Sequence, residues 1–508
     1  MPNEFIADTV SGKIQGAFAD GVLCFKGVPY AAPPVGALRF RPPAKLAPWQ
    51  GVRDATQFGA RAWQNDAAFN LAPAIRAVFG DVPEQPVNED CLFLNVWTPA
   101  LDDGGDRPVM VWLHGGAFIS GSGASAWYDG ANLARKGNVV VVTLNHRLGA
   151  FGFLHLAGVG GADYAASGNV GMLDIVAALE WVRDNIEKFG GDPENVTIFG
   201  ESGGGAKSCM LMAMPSAHGL FHKAIVQSGP SVETMDAAAA TATARDVMNE
   251  LGAPSVADLV AAPAEKLLAA QNAVLGRISA MSFANRRKQG FNPVIDGEVL
   301  PGGPFAPGAP AISKNVTLMI GTNRDEMNLF FGMAPWAESA TDATLPDAAR
   351  QFLGDRTPGI VAAYRAADPK AAARDLVLRI ATDQSIRLPS LVIADRKVAQ
   401  HGAPVYVYLF TWATPVADGK LGSCHALEIP FVFDNLDKTR LTGDAATRGV
   451  LADAMSRAWI EFAYKDNPNH ADIPYWPAYN VAERPTMIFD LQCRVENDPF
   501  GAERKAWA

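Results

Sequence analysis

Residues 196–204 read Val-Thr-Ile-Phe-Gly-Glu-Ser-Gly-Gly, and this stretch decides the predicted fold. A β-branched and aromatic run leads directly into the pattern Gly-x-Ser-x-Gly, centred on Ser202, and a small, apolar segment over residues 206–214 follows. Strand, sharp turn and helix in this order form the context in which a serine hydroxyl is exposed as a nucleophile. Gly200 and Gly204 flank the turn, where a side chain would crowd the backbone, so the pattern predicts a strained nucleophile elbow.

A phosphate-binding loop is the rival interpretation of the same glycines. Its pattern, Gly-x-x-x-x-Gly-Lys-Ser/Thr, matches the separation of Gly200 and Gly205, but Ala206 intervenes before Lys207 and Ser208. One extra residue turns the lysine by about 100° around a helix, away from a bound phosphate. The spacing therefore favours the elbow.

The composition is that of a loop-rich globular enzyme. Of 508 residues, 49% are hydrophobic and 19% are charged, with 48 glycines and 35 prolines. The net charge is −10 and no cluster of lysine or arginine stands out, which argues against nucleic acid or an anionic membrane surface as a partner. We expect a monomer or a weak homo-oligomer that acts on a small molecule.

Cysteine usage and the first residues bear on the compartment. The five cysteines are far apart, odd in number and without a Cys-x-x-Cys, so neither a disulfide framework nor a zinc site is predicted. The start, Met-Pro-Asn-Glu-Phe, lacks the basic and apolar regions of a signal peptide, and no apolar run approaches the ~20 residues of a membrane span. We expect a cytoplasmic protein that needs no metal or organic cofactor.

Strand-like and helix-like segments alternate along the chain. Very apolar strands separated by helices predict a largely parallel sheet covered on both faces, the α/β class. Residues 1–508 are interpreted as a single domain with long insertions. The predicted strands cover residues 107–113, 138–144, 196–199, 222–227, 316–320, 405–410 and 486–490, and the clearest helices cover 173–189 and 450–464.

An elbow serine requires a base and an acid that orients the base, and in this architecture the chain order is Ser, Asp or Glu, then His. Asp325 and Glu326 both follow a predicted strand, and the spacing does not choose between them. His425 is the candidate base, because His401 precedes its strand and His470 lies in a polar stretch typical of a surface turn.

Backbone N–H donors are needed to stabilise an oxyanion. The run His-Gly-Gly-Ala-Phe over residues 114–118 follows a predicted strand, and its glycines allow the backbone to approach a bound carbonyl closely. Gly203, directly after the serine, would supply a second source of N–H. The sequence thus contains the two independent donor segments that acyl transfer requires.

An ordered series of motifs resembles the type-B carboxylesterases, the α/β-hydrolase group that includes cholinesterases and bacterial p-nitrobenzyl-type esterases. The resemblance runs from about residue 9 to about residue 495. Its landmarks are Phe25-Lys-Gly-Val-Pro-Tyr-Ala, Leu38-Arg-Phe-Arg-Pro-Pro, Glu89-Asp-Cys-Leu-Phe-Leu-Asn-Val, His114-Gly-Gly-Ala-Phe, Leu144-Asn-His-Arg-Leu-Gly-Ala-Phe-Gly-Phe, Gly168-Asn-Val-Gly-Met-Leu-Asp and Phe189-Gly-Gly-Asp-Pro-Glu-Asn-Val-Thr-Ile-Phe-Gly-Glu-Ser-Gly-Gly-Gly.

The resemblance implies a role for each residue that matches a family motif. For the reaction it implies Ser202 as nucleophile, Glu326 as acid in preference to Asp325, and His425 as base. The implied oxyanion donors and supporting side chains are Gly116, Ala117 and Gly203 for the hole, Glu201 lining the gorge, and Ser228 near the histidine. The pairs Arg39–Glu89 and Arg147–Asp174 resemble the family's structural salt bridges and are kept out of the site.

Three positions depart from the family's usual pattern. Gly203 replaces a frequent alanine after the serine, and Ala426 replaces a common glycine after the histidine. Cys91 matches a cysteine that in secreted members pairs with one near residue 62, where this chain has Ala62. That disulfide cannot form, which agrees with a reducing compartment.

These residues predict a serine carboxylic ester hydrolase that acts through an acyl-enzyme on a small to medium, largely apolar ester. The same triad would serve an amide, carbamate or lactone hydrolase, and a non-catalytic binding module on this fold is a remote alternative. Seven apolar side chains on loops could wall a substrate pocket, but plain packing is the better explanation for each of them and none is counted as catalytic: Phe118, Met281, Phe283, Phe291, Phe330, Phe331 and Trp336.

Overall fold

A computed structural model describes residues 5–65, 85–279, 289–444 and 447–508 of the chain. The strands of these residues are β1 (Ile6–Thr9), β2 (Gly12–Gln15), β3 (Ala17–Ala19), β4 (Val22–Pro29), β5 (Val52–Asp54), β6 (Phe93–Thr98), β7 (Arg107–Leu113), β8 (Val140–Leu144), β9 (Gly191–Glu201), β10 (Lys223–Gln227), β11 (Met235–Asp236), β12 (Val294–Ile295), β13 (Thr317–Asn323), β14 (Val405–Phe410), β15 (Pro485–Phe489) and β16 (Arg494–Asn497).

The α-helices are α1 (Ala131–Gly137), α2 (Gly149–Phe153), α3 (Ala157–Gly160), α4 (Val170–Asn185), α5 (Gly203–Leu211), α6 (Ala237–Leu251), α7 (Val256–Ala261), α8 (Ala264–Ser279), α9 (Asn328–Phe331), α10 (Pro335–Glu338), α11 (Leu345–Leu353), α12 (Thr357–Ala367), α13 (Ala373–Thr382), α14 (Leu388–Val398), α15 (Ile429–Val432), α16 (Arg448–Lys465) and α17 (Gly501–Lys505). A π-helical turn, Asp383–Arg387, joins α13 to α14.

The central sheet has eleven strands in the order β16-β15-β14-β13-β10-β9-β7-β8-β6-β4-β3. The seven from β15 to β8 run parallel to their neighbours, whereas β16 at one edge and β6, β4 and β3 at the other pair antiparallel. The predicted, largely parallel sheet is therefore confirmed, and its antiparallel edges are additions that the sequence reading did not include.

Both faces of the sheet are covered, as β7 shows residue by residue. Val109, Val111 and Leu113 belong to a core that also contains side chains of α4, α5 and α14. Met110 and Trp112 point the other way, into a second core with side chains of α1, α15 and α16. Because successive side chains of a strand alternate between faces, a strand buried on both sides is apolar throughout, as this one is.

A helical insertion lies between β13 and β14 and was not predicted in detail. Helices α10 to α13 enclose a third core of their own, built on Leu345, Phe352, Tyr364 and Leu376. The insertion begins with α9, directly after the segment that carries the candidate acid. It therefore borders the candidate site.

The two structural ion pairs implied by the resemblance are present. Arg147 donates to Asp174 at 2.6 and 2.8 Å, and both side chains are buried. The Nε of Arg39 donates to Glu89 at 2.7 Å. All five cysteines have free thiols. No helix of the described residues combines the length and apolarity needed to cross a bilayer.

Candidate active site

Each candidate side chain follows the carboxyl end of a parallel strand. Ser202 comes directly after β9, Glu326 shortly after β13, and His425 in the loop that follows β14. Gly116 and Ala117 follow β7 in the same way. Because β14, β13, β10, β9 and β7 are consecutive neighbours in the sheet, these loops gather at one edge, where α/β proteins bind their ligands.

The turn at Ser202 is the strained elbow that the sequence predicts. Ser202 has φ 55° and ψ −119°, a conformation that non-glycine residues rarely adopt. A Cβ on Gly200 would lie 2.5 Å from the carbonyl oxygen of Leu113, and one on Gly204 would lie 1.8 Å from it. The backbone of the turn thus approaches β7 too closely for any side chain, which is why both flanking residues are glycine.

Glu326, and not Asp325, contacts the imidazole. Oε2 of Glu326 lies 2.6 Å from Nδ1 of His425, and Oε1 accepts a hydrogen bond of 2.7 Å from the backbone N–H of Asn323. Asp325 turns away and accepts a hydrogen bond of 2.9 Å from the N–H of Ser423. Of the two acids that the spacing left open, Glu326 is therefore the one in contact with His425.

The other imidazole nitrogen faces a second carboxylate. Nε2 of His425 lies 3.1 Å from Oε1 of Glu201, and no hydrogen bond between the Ser202 hydroxyl and His425 occurs among the described residues. Catalytic hydrogen bonds of free enzymes are often long and align only once substrate is bound. Burial lowers the pKa of His425, but the carboxylates of Glu201 and Glu326 outweigh burial, so the pKa is raised above its usual value.

Glu201 is buried, and the pKa of its carboxyl group is raised as well. Burial raises its pKa, the charge of His425 opposes this rise, and Glu428 and Glu326 add to it. Ser228, the other predicted supporting residue, lies directly after β10. Its hydroxyl is buried and makes no hydrogen bond to any described residue, His425 included.

A buried network behind the acid was missed by sequence reasoning. Glu428 accepts hydrogen bonds from the side chains of Asn323 at 2.6 Å and Gln227 at 3.1 Å, and the indole of Trp459 donates to Gln227 at 3.0 Å. Asn323 also donates its backbone N–H to Glu326, so the network holds the acid in place. The available signal was a lone charge at position 428 inside an apolar run.

The two donor segments of the predicted oxyanion hole are in contact. Gly203 is the first residue of α5, so its N–H has no partner within the helix. A Cβ on Gly203 would lie 2.6 Å from the backbone nitrogen of Ala117. Within the described ranges, no residue accepts a hydrogen bond from the N–H of Gly116 or Ala117. These backbone groups are therefore available to a ligand.

An aromatic wall stands beside the imidazole. The ring of Phe330 lies 5.2 Å from that of His425, centroid to centroid. Phe331 continues the wall toward Trp336, at 5.6 Å. Phe118 and Phe291 are buried, whereas the predicted wall residues Met281 and Phe283 lie outside the described residues. No group of three His, Cys, Asp or Glu side chains in the described part of the chain could hold a metal ion.

A model of the carboxylesterase family matches residues 3–507. The chain belongs to the carboxylesterase family. It is 39% identical over 507 residues to the para-nitrobenzyl esterase of Bacillus subtilis, covering 98% of each chain, and 34% identical to the phenmedipham hydrolase of Pseudarthrobacter oxydans, covering 95% of this chain and 94% of that one. The structure of the carboxylesterase EST55 of Geobacillus stearothermophilus matches 99% of this chain and 100% of its own, with a TM-score of 0.85 and 38% identity.

Family membership decides between the interpretations that the sequence allowed. The predicted α/β-hydrolase fold is confirmed by solved carboxylesterases that match along their whole length. The prediction of a carboxylic ester hydrolase is confirmed as well. The phosphate-binding interpretation of residues 200–208 is wrong, since this segment forms the elbow and helix of a carboxylesterase.

Proposed function

We propose that this carboxylesterase hydrolyses its ester through an acyl-enzyme with Ser202 as nucleophile, His425 as base and Glu326 as acid of a catalytic triad. One observation carries the proposal: the 2.6 Å contact between Glu326 and Nδ1 of His425 at the sheet edge where Ser202 sits on a strained turn. This contact holds the proton on Nδ1, so Nε2 is the nitrogen that takes up a proton when the imidazole is neutral.

The reaction proceeds in two steps. His425 takes the proton of the Ser202 hydroxyl as the oxygen attacks the ester carbonyl, and the N–H groups of Gly116, Ala117 and Gly203 stabilise the tetrahedral oxyanion. His425 then gives the proton to the leaving alcohol. Water repeats the sequence on the acyl-enzyme, so the carboxylate product leaves and the serine is regenerated.

The substrate we propose is a small to medium, largely apolar ester. Phe330 places apolar surface next to the imidazole, where the acyl or alcohol group must lie, and Phe331 and Trp336 extend the aromatic cluster from it. The name of one relative, a para-nitrobenzyl esterase, agrees with an aromatic ester. Amide, carbamate or lactone hydrolysis by the same triad is the alternative.

A panel of p-nitrophenyl acyl esters of rising chain length, with one carbamate and one anilide, tests this proposal. We expect kcat/KM to rise by about fourfold per methylene while the acyl chain gains apolar contacts, because burying one methylene is worth about 0.8 kcal/mol, and then to fall. The carbamate and the anilide should be slower than every ester. A carbamate or anilide turned over faster than the best ester would make the alternative the main activity.

The pH dependence of kcat/KM should be sensitive to Glu201, the carboxylate beside Nε2 of His425. His425 must be neutral to act as a base, so its pKa sets the acid limb of the kcat/KM profile. Glu201 raises that pKa, so Glu201→Gln lowers it. We therefore expect the acid limb to move to lower pH in this variant, measured as kcat/KM for a p-nitrophenyl ester over a range of pH values.

Glu250→Gln is the matched control, because Glu250 is a glutamate of helix α6 that pairs with the exposed Arg277. Its profile should coincide with that of the unmodified enzyme. An acid limb that stays in place in Glu201→Gln, or moves to higher pH, would show that Glu201 does not govern the charge of His425.

Four further expectations remain proposals. They are a single domain over residues 1–508, a monomer or weak homo-oligomer, the absence of a nucleic-acid partner and a cytoplasmic location. The net charge of −10 supports the third. The five free thiols, Cys91 among them with Ala62 at the position of its usual partner, support the fourth.

A further inference from the structure

A buried cation lies directly behind the oxyanion loop. Lys207 belongs to α5, the helix that begins after Ser202, and its exposed fraction is 0%. Its ammonium group donates hydrogen bonds of 2.9 Å to the carbonyl oxygens of both His114 and Ala117. The ring of Phe118 lies 5.4 Å from Nζ. Three neighbouring residues of the loop therefore surround one side chain.

A buried ammonium group is unfavourable unless its N–H donors make hydrogen bonds. Burial lowers the pKa of Lys207 to about 7, and the nearby charge of Glu201 opposes this shift. An apolar side chain of similar volume would fill the same space without removing a charge from water. Packing alone therefore does not account for a lysine here, whereas a need to hold the two carbonyl groups does.

The two carbonyl groups bracket the donors of the proposed hole. His114 and Ala117 stand at either end of the segment that contains Gly115 and Gly116. Ala117 has φ 51°, a backbone conformation that is uncommon for alanine. Hydrogen bonds at both ends restrict the rotation of the peptide planes between them, which carry the N–H groups of Gly116 and Ala117.

The same loop explains why residue 203 is glycine. A Cβ at this position would lie 2.3 Å from the carbonyl oxygen of Ala117 and 2.6 Å from its nitrogen and Cα. All three are backbone atoms, so no side chain could turn aside to make room. The oxygen that comes nearest is the one that Lys207 holds.

We propose that Lys207 is a positioning residue for ester hydrolysis: by binding the carbonyl groups of His114 and Ala117 it fixes the oxyanion loop against residue 203, which must then be glycine. The inference deepens the proposed function and rests on it, because it takes the N–H groups of Gly116, Ala117 and Gly203 as the oxyanion donors.

Lys207→Met tests the proposal, because methionine keeps most of the volume and removes all donors. We expect kcat to fall by about 10- to 100-fold, since a donor displaced by about 1 Å costs up to about 100-fold, with KM changed by less than about threefold. The affinity for a trifluoromethyl ketone, whose adduct carries the oxyanion, should fall by the same factor as kcat/KM. Lys207→Gln, which retains a shorter N–H donor, should lie between methionine and lysine.

Lys397→Met is the matched control. Lys397 is also fully buried and donates to two carbonyl groups, those of Ser313 at 2.7 Å and Lys314 at 2.9 Å, but it lies in α14 away from the oxyanion loop. This variant should lose thermal stability and keep both kcat and inhibitor affinity. A purely structural role for Lys207 predicts the same result for Lys207→Met, and that result would overturn the inference.

A double-mutant cycle tests the link to residue 203. Gly203→Ala alone should lower kcat by about 10- to 100-fold, because the Cβ displaces the loop. With Lys207→Met present, the loop is free to retreat, so the added cost should be below about threefold. Equal costs in both backgrounds would refute the coupling.

Labelling of Ser202 by a fluorophosphonate distinguishes failure of this inference from failure of the proposed function. If Ser202 is labelled and Lys207→Met keeps normal activity, only this inference is refuted. If Ser202 is not labelled, the proposed function itself is refuted.

Discussion

We expect Ser202→Ala to lower kcat for a p-nitrophenyl ester by at least about 10³-fold, because no oxygen remains to form the acyl-enzyme. A small activity should persist, since the backbone donors still bind the oxyanion of a water attack. The fold should be unaffected, because alanine keeps the Cβ that the strained turn already accommodates. Steady-state kinetics, together with the loss of fluorophosphonate labelling, measure the effect.

Ser208→Ala is the control for this experiment. Ser208 lies in α5, the helix that begins directly after Ser202, is buried, and donates its hydroxyl to the carbonyl of Gly204 at 3.2 Å. It therefore shares the residue type with Ser202 but not the position on the turn. Its kcat and its labelling should match those of the unmodified enzyme. Near-normal turnover by Ser202→Ala would place the nucleophile elsewhere.

The central sheet was the most predictable part of the fold. The strands predicted over residues 107–113 and 405–410 have the observed bounds of β7 and β14. Both strands are buried on two faces, so their sequences are continuous apolar runs that end where the burial ends. The short edge strand β3 (Ala17–Ala19) is exposed, and its pairing depends on a neighbour rather than on its own pattern.

For the candidate site, the sequence predicted which residues gather at the sheet edge but not the contacts that they make there. His425 followed from elimination, since the order of strands and histidines along the chain is written in the sequence. The choice between Asp325 and Glu326 could not be predicted in this way. Both residues lie in one turn, and only the geometry of that turn decides which side chain faces the imidazole ring. The approach of Glu201 to Nε2 depends on side-chain rotamers, to which no spacing rule applies.

The contacts of Lys207 could not be predicted from the sequence motif in which it lies. Its position near a glycine-rich turn raised the phosphate-binding interpretation, and the extra residue at position 206 argued against it. What the side chain contacts could not follow from local spacing, because its partners His114 and Ala117 lie some ninety positions earlier in the chain. Only the pairing of β7 with β9 brings the two segments together.

Glu326→Gln should give the second large effect, a loss of about 10⁴-fold in kcat, the size seen when a triad carboxylate becomes an amide. The N–H of Asn323 donates to Oε1, so the amide oxygen must take that place and the NH₂ group must face Nδ1 of His425. Nδ1 then becomes an acceptor and the ring proton moves to Nε2. Nε2 can no longer take the proton of Ser202, and raising the pH will not restore the rate.

Asp325→Asn is the control at the neighbouring position. It tests which of the two acids, Asp325 or Glu326, serves in the triad, a choice that the sequence spacing left open. Asp325 accepts hydrogen bonds from the N–H of Ser423 and from Arg324, and an asparagine oxygen can keep the first of them. This variant should lose some stability and stay within about threefold of the normal kcat, because no proton transfer passes through residue 325. A large loss of kcat in Asp325→Asn together with a small loss in Glu326→Gln would assign the role of acid to Asp325 instead of Glu326. The reason is that an amide cannot replace the carboxylate that fixes the tautomer of His425.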